Sequence, residues 1–458
     1  MIEPMTGGKI WTFSNGMRVV YKNSGKEGLC HYEMLVKTGF SQAMNLENAE
    51  KPYLSALLGE SKIAGMPGRE FRRMLNANGI HMATQVSVSD INIKGTAPDT
   101  ELPLLLKSLL AIAYDRTPDH DAWEYYNACS NLNLDYFRNS KVCRRAVLDS
   151  MICPSLSHSA FRRPLEMKPD FMERGNRFFD TAFSRASDGI LILVGKFDED
   201  DLKKILTRHI GGFKSEEALV SRSRKQDDCI TGKSVLIQEG TYPSLDLMFA
   251  TPINYTAENF MNIKVASMAM GNAISKVAAS MGWSVSFSGK FIMFPEEKFN
   301  LTVQMEPSVA EGLPASMVQE QDVEKLLQAV DVVIEELGQK GLEPSLFAAY
   351  KALLGNMLDE DMADPAKIQD FLIMRYSYGK DLMTKYKDKL NALNVGKVNS
   401  FLTDMAHGAL AEYGVKSKAW TTVNEVLLPP IVLPKSAPVR PASDTLGINK
   451  VYRSLFTK

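Results

Sequence analysis

Apolar and polar positions alternate at the start of the chain. Residues 10–13 and 17–22 read as two strands around Ser14-Asn15-Gly16, a turn sequence that favours a hairpin. Residues 31–38 read as a third strand. The apolar spacing then changes to that of helices, predicted over 47–64 and 69–78. The second of these opens after Pro67-Gly68 and closes at Asn78-Gly79. Residues 80–87 and 90–95 alternate like adjacent antiparallel strands, and 100–114 and 120–137 read as long helices. Lys168-Pro169-Asp170 opens a further helix that runs to about Ser187, with proline in its tolerated first turn. The continuous apolar run Gly189-Ile190-Leu191-Ile192-Leu193-Val194-Gly195 is a buried strand. Asp198-Glu199-Asp200-Asp201 opens the next helix. Acidic side chains there cap free N–H groups and favour the helix dipole, so the cluster reads as a cap and not as a metal site.

A polar stretch without periodicity, 213–232, follows, and after it the pattern begins again. Strands are predicted at 234–238, 245–250, 283–287 and 299–305, and helices at 257–281, 321–337, 343–358, 365–377 and 381–390. The helix 395–406 and strand 413–417 repeat the step seen at 169–195, and 298–337 repeats 90–114. The chain is thus an internal duplication in element order, with a period of about 220 residues. Strands and helices that do not strictly alternate favour an α+β fold: two duplicated domains, each a mostly antiparallel sheet packed by helices on one face. The expected division is a first α+β domain at 1–215, a linker at 216–233, a second α+β domain at 234–425 and a proline-rich extended tail at 426–458.

Composition narrows the function classes. With 458 residues, 45% hydrophobic and 23% charged, the chain can bury large cores without covalent staples. A net charge of -1 gives no footprint for nucleic acid. The five cysteines, Cys30, Cys129, Cys143, Cys153 and Cys229, form no C-x-x-C, and their odd number argues against a full disulfide framework, so buried free thiols are expected. No secretory signal is read at the start, and the most apolar run, 102–114, is too short to span a membrane and is broken by Lys107. A soluble chain is expected; periplasm and cytoplasm both fit.

The stretch from Thr12 through Asn15-Gly16 to Val20, the strand ending Lys37-Thr38-Gly39, the run from Phe71-Arg72-Arg73 to Gly79-Ile80, and Arg375-Tyr376-Ser377-Tyr378-Gly379-Lys380-Asp381 resemble the insulinase-type zinc peptidases, family M16. The resemblance covers most of residues 9–418. It implies paired α+β domains of the M16/LuxS-metalloenzyme type, with two such pairs facing each other around a peptide chamber. One pair carries the metal, and the other is usually a degenerate copy.

The metal motif of the family it resembles is an inverted H-x-x-E-H. Two imidazoles one helical turn apart bind one Zn²⁺, and the glutamate activates the bound water as general base. The matching positions here are Lys51, Leu54 and Ser55. A lysine ammonium has no lone pair for a metal, and leucine moves no protons. The third-ligand window, 130–133, reads Ser-Asn-Leu-Asn and holds no carboxylate; Glu124 and Asp135 flank it out of place. The histidines (His31, His81, His120, His158, His209 and His407) have no pair at ligand spacing. No G-x-S-x-G, Walker A loop or dinucleotide fingerprint occurs.

In such enzymes an arginine seven residues before a tyrosine, on the non-catalytic half, reaches the bound peptide. The matching residues are Lys276 and Trp283, which keep charge and aromaticity but lose the guanidinium fork and the phenol hydroxyl. The resemblance therefore implies a chain with no metal of its own and zinc in a partner half. The partners it implies are an M16-type catalytic subunit or half, or a second copy, and a peptide substrate. The alternative is a structural or binding protein that kept the fold and has no proteolytic role.

Overall fold

The computed structural model describes residues 1–47, 50–132, 141–153, 167–215, 229–240, 242–293, 296–308 and 322–417. Most of the expected linker, 216–228, and the whole proline-rich tail lie outside them. The first half contributes strands β1 (Lys9–Thr12), β2 (Arg18–Asn23), β3 (Cys30–Val36), β4 (Lys62–Ile63), β5 (His81–Val86), β6 (Ile91–Ala97), β7 (Arg116–Thr117) and β8 (Gly189–Gly195). Six of them form a sheet in the order β1-β2-β8-β3-β6-β5, antiparallel except where β2 meets β8. β4 and β7 make a separate two-stranded ribbon. The second half contributes β9 (Lys233–Gly240), β10 (Ser244–Pro252), β11 (Trp283–Ile292), β12 (Lys298–Pro307) and β13 (Ala409–Ser417). Their order is β11-β12-β10-β13-β9, again with one parallel neighbour pair, β13 and β9.

The fold is α+β and the duplication is explicit in the two sheets. Reading β2-β8-β3-β6-β5 against β9-β13-β10-β12-β11 superposes the strand orders one for one. The turn expected at Ser14-Asn15-Gly16 forms. Gly16 has φ 86°, and a Cβ there would sit 2.8 Å from the Ser187 Cβ, so glycine is required twice over. The Asn15 amide donates to the carbonyls of Ile210 and Phe213, tying the hairpin to the last helix of the first half.

On one face of each sheet lies that half's own core. Tyr32 and Met34 of β3 and Leu191 and Leu193 of β8 pack there against Leu102, Leu105 and Leu109 of the Leu102–Tyr114 helix. In the second half Leu247 and Phe249 pack with Phe260, Ile274 and Leu402. The opposite face is covered by a helix from the other half. Ile368, Leu372 and Ile373 of the Pro365–Tyr378 helix lie on Val20, Leu35, Ile190 and Ile192 of the first sheet. Leu148 and Ile152 of the Lys141–Ile152 helix lie on Met248, Ala250, Ala411 and Tyr413 of the second. Sequence patterning had one helix layer per sheet; the second layer is exchanged between halves. Polar contacts fix both exchanges. Arg144 donates to Asp246 at 2.5 Å and to Glu306 at 2.7 Å. Arg18 donates to the Tyr376 carbonyl, and Tyr378 donates to Asp90.

Two expectations need correction. Cys153 and Cys229 are not free thiols: they form a disulfide. Cys30 and Cys143 are buried thiols and Cys129 is half-buried. The pairing was illegible because the partners lie 76 residues apart and only the exchanged helix brings them together. The long helix expected at 47–64 is also shorter, running Leu54–Glu60 after a 3₁₀ turn at Lys51–Tyr53. Pro52 supplies no N–H and suits a first turn, so regular α-helix starts after it. Ser61, extended at the C-cap, ends it.

Candidate functional site

Lys51, Leu54 and Ser55, which the resemblance matches to the metal motif, lie where the 3₁₀ turn passes into the Leu54–Glu60 helix. Lys51 is part-buried in the turn, and Leu54 and Ser55 begin the helix. Lys51 therefore does not share a continuous α-helical face with the other two. Leu54 is fully buried in the first core. The Ser55 hydroxyl accepts the Val86 backbone N–H at 2.8 Å. β5, which carries Val86, is the edge strand of its sheet, so Ser55 satisfies an outward donor that the ladder cannot. A core leucine and a strand-capping serine thus stand at the positions that the resemblance matches to the general base and the second imidazole.

Beside them is a buried ion pair that the sequence did not announce. The Glu50 carboxylate is fully buried. It accepts from Arg174 at 2.7 and 2.5 Å, from Glu47 N at 2.8 Å and from Lys168 N at 3.2 Å. Burial pushes this carboxyl up, but the Arg174 guanidinium and the two backbone donors outweigh it and hold it below its ordinary value. Arg174 is raised in turn by its hydrogen bonds to Glu50 and Asp170. It also donates to the Asn45 carbonyl, while the Asn45 amide donates to the Arg174 carbonyl. One residue further, Gly175 lets the Phe171–Phe183 helix approach closely. A Cβ there would lie 2.3 Å from Leu57 Cδ2. The two contacts press this helix against the Leu54–Glu60 helix. A separation of 124 residues leaves the Glu50–Arg174 pair without a local sequence signal.

Residues 130–132 of the third-ligand window end the His120–Leu132 helix; their side chains, and Asn133 altogether, lie outside the described residues. Of the flanking carboxylates, Glu124 is exposed and Asp135 lies outside the described residues. His120 is exposed and 3.5 Å from Glu173; His407 is exposed and 3.4 Å from Glu335. Burial lowers His31 and His209 below the ordinary imidazole value. Among the described residues no three His, Cys, Asp or Glu side chains are grouped to hold a metal ion. The donors present do not fit Zn²⁺: an ammonium, a buried alkyl group and a hydroxyl already engaged with a backbone N–H.

Lys276 and Trp283 lie at the end of the Ala257–Ser280 helix and the start of β11. Trp283 is 2% exposed and belongs to the second core; Lys276 is exposed on the helix. The structure therefore presents the ammonium, and not the indole, to solvent. The helix itself comes close to β11 at Gly271, where a Cβ would meet the Phe287 ring at 2.7 Å.

The resemblance read from the sequence is borne out by comparison with known proteins. Residues 177–354 match the family model of the peptidase M16 inactive domain. No curated protein matches the chain significantly. Among solved structures, the periplasmic protease PqqL from Escherichia coli superposes with a TM-score of 0.71 at 14% identity, covering 90% of this chain and 45% of PqqL. A peptidase M16 inactive domain from Pseudomonas fluorescens gives 0.71 at 14% identity, covering 90% of this chain and 98% of that one. A protease from Helicobacter pylori gives 0.70 at 12% identity, with 89% and 99% covered. The chain thus has the M16 fold, and it spans under half the length of PqqL. Among the described residues no helix is long and apolar enough to cross a membrane.

Proposed function

We propose that this chain is the non-catalytic half of an M16-type zinc endopeptidase and completes the peptide chamber of a metal-bearing half. One coincidence carries the reading. Residues 177–354 match the M16 inactive-domain model, and the positions matched to the metal helix hold a core leucine and a strand-capping serine. Both arrangements of the halves have precedents in fold: the chain corresponds to half of PqqL and to nearly all of the Pseudomonas fluorescens domain. In this reading Lys276 supplies the cation that meets the peptide, while Trp283 holds the strand that positions it. Zinc and the general base belong to the partner.

The test is co-purification from the native source, followed by metal analysis and peptide cleavage. The chain alone is expected to bind no stoichiometric zinc and to cleave nothing. Together with an H-x-x-E-H half it should give chelator-sensitive cleavage, and Lys276→Ala should raise KM there with little loss of kcat. Stoichiometric zinc on the isolated chain overturns the reading. Purification without any metal-bearing partner favours a binding protein with the M16 fold and no proteolytic role.

A further inference from the structure

The Cys153–Cys229 disulfide sits where the two halves are joined, and a lysine is aimed at it. Cys153 directly follows the exchanged Lys141–Ile152 helix, and Cys229 precedes β9, the edge strand of the second sheet. The Ile230 N–H donates to the Ile152 carbonyl at 2.9 Å, so the two segments run side by side at the bond. Lys298, at the start of β12, places Nζ 2.7 Å from Cys229 Sγ and 3.7 Å from Cys153 Sγ. Its side chain is only 9% exposed, and the carboxylate paired with it, Glu296, is itself exposed and 3.8 Å away. A buried cation whose counter-ion among the described residues is distant and solvated gains from an anion placed beside it. Opening the disulfide creates that anion, because a neighbouring ammonium favours thiolate over thiol.

We propose that Cys153–Cys229 is a redox-responsive clasp between the halves, and that Lys298 sets its poise by holding Cys229 as the thiolate when the clasp opens. The reductant is a dithiol. Its first thiolate attacks the half-buried Cys229 Sγ, the S–S bond breaks and Cys153 leaves as a thiolate that takes a proton from water. Its second thiolate attacks the reductant sulfur of the mixed disulfide, and Cys229 leaves as a thiolate beside Lys298. Two electrons pass to the protein and the dithiol ends as a disulfide. The open clasp leaves the end of the exchanged helix held by the Ile230–Ile152 hydrogen bond and the apolar contacts of Leu148 and Ile152. The bond is therefore a control on how firmly the halves are joined, independent of which partner the chain has.

The test uses the full chain equilibrated with glutathione disulfide, then denatured and alkylated without reduction. Three of the five cysteines should react; five overturns the clasp. Hydrogen exchange over residues 141–153 should run on the order of tenfold faster after dithiol treatment, with the Leu102–Tyr114 helix unchanged, as expected for local opening. Equal rates in the two states mean the bond clasps nothing. In graded glutathione buffers, Lys298→Met should need more reducing conditions to open, by about tenfold in the exchange constant or about 30 mV, while Lys298→Arg should track the wild type. A Lys298→Met constant equal to that of the wild type removes the lysine from the device.

Discussion

The Arg174 guanidinium grips the carboxylate of the fully buried Glu50, the residue before Lys51, in a two-pronged contact at 2.7 and 2.5 Å. The pair locks the Phe171–Phe183 helix to the 3₁₀ turn at Lys51–Tyr53. Removing one partner strands the other charge in the interior. Arg174→Met is expected to cost about 3–5 kcal/mol, and the Glu50→Leu/Arg174→Met double variant much less than the sum of the single changes. Urea unfolding of the four proteins in a double-mutant cycle checks this. Acid adds a second readout. The folded-state value of Glu50 is lowered, so its contribution is present above its unfolded value and is lost as pH falls through the folded one. Wild type should therefore lose more stability than Arg174→Met between pH 7 and pH 3.

Placing an H-x-x-E-H motif on this helix should not create a zinc site. Leu54 is fully buried, so Leu54→Glu puts a carboxylate into the first core at a cost of about 3 kcal/mol or more. The triple variant Lys51→His/Leu54→Glu/Ser55→His is expected to unfold at lower urea and to bind no stoichiometric zinc by metal analysis. Ser55→Ala alone deprives the Val86 N–H of its acceptor and should cost about 1 kcal/mol. Tight zinc in the triple variant would show that the scaffold can supply the geometry.

Gly175→Ala tests the close approach of the two helices. Its Cβ would overlap Leu57 Cδ2, and the expected loss is about 1–3 kcal/mol. Combined with Leu57→Ala, which empties the space, the two losses should add to less than their sum. Strict additivity in thermal unfolding would place the strain elsewhere.

Glu412 on β13 gives the chain an alkaline weakness. Burial pushes its carboxyl up to about 8, against the pull of Lys233 at 2.9 Å. Lys233 also donates to Asp331 on the Val323–Lys340 helix. A raised folded-state value contributes stability that is full below the ordinary 4.5 and is lost as pH rises through about 8. Tm should fall from pH 5 to pH 9 in wild type, and this slope should flatten in Glu412→Gln. An unchanged slope assigns the alkaline loss to another group.

Much of this protein was written in the chain itself. The hairpin at Asn15-Gly16, the buried run Gly189–Gly195, the α+β class and the duplication all follow from local pattern, because period, turn chemistry and residue type are properties of neighbours in sequence; the matching of Lys51, Leu54 and Ser55 to a metal motif rests on the family resemblance. Tertiary structure decided what Leu54 and Ser55 do. That Leu54 is core and Ser55 caps Val86 depends on β5, some thirty residues away. The Glu50–Arg174 pair, the Cys153–Cys229 bond and the helices exchanged between the sheets join residues 76 to more than 120 positions apart, or from opposite halves. Hydrophobic periodicity states that a face must be covered; only the packed chain states which helix covers it.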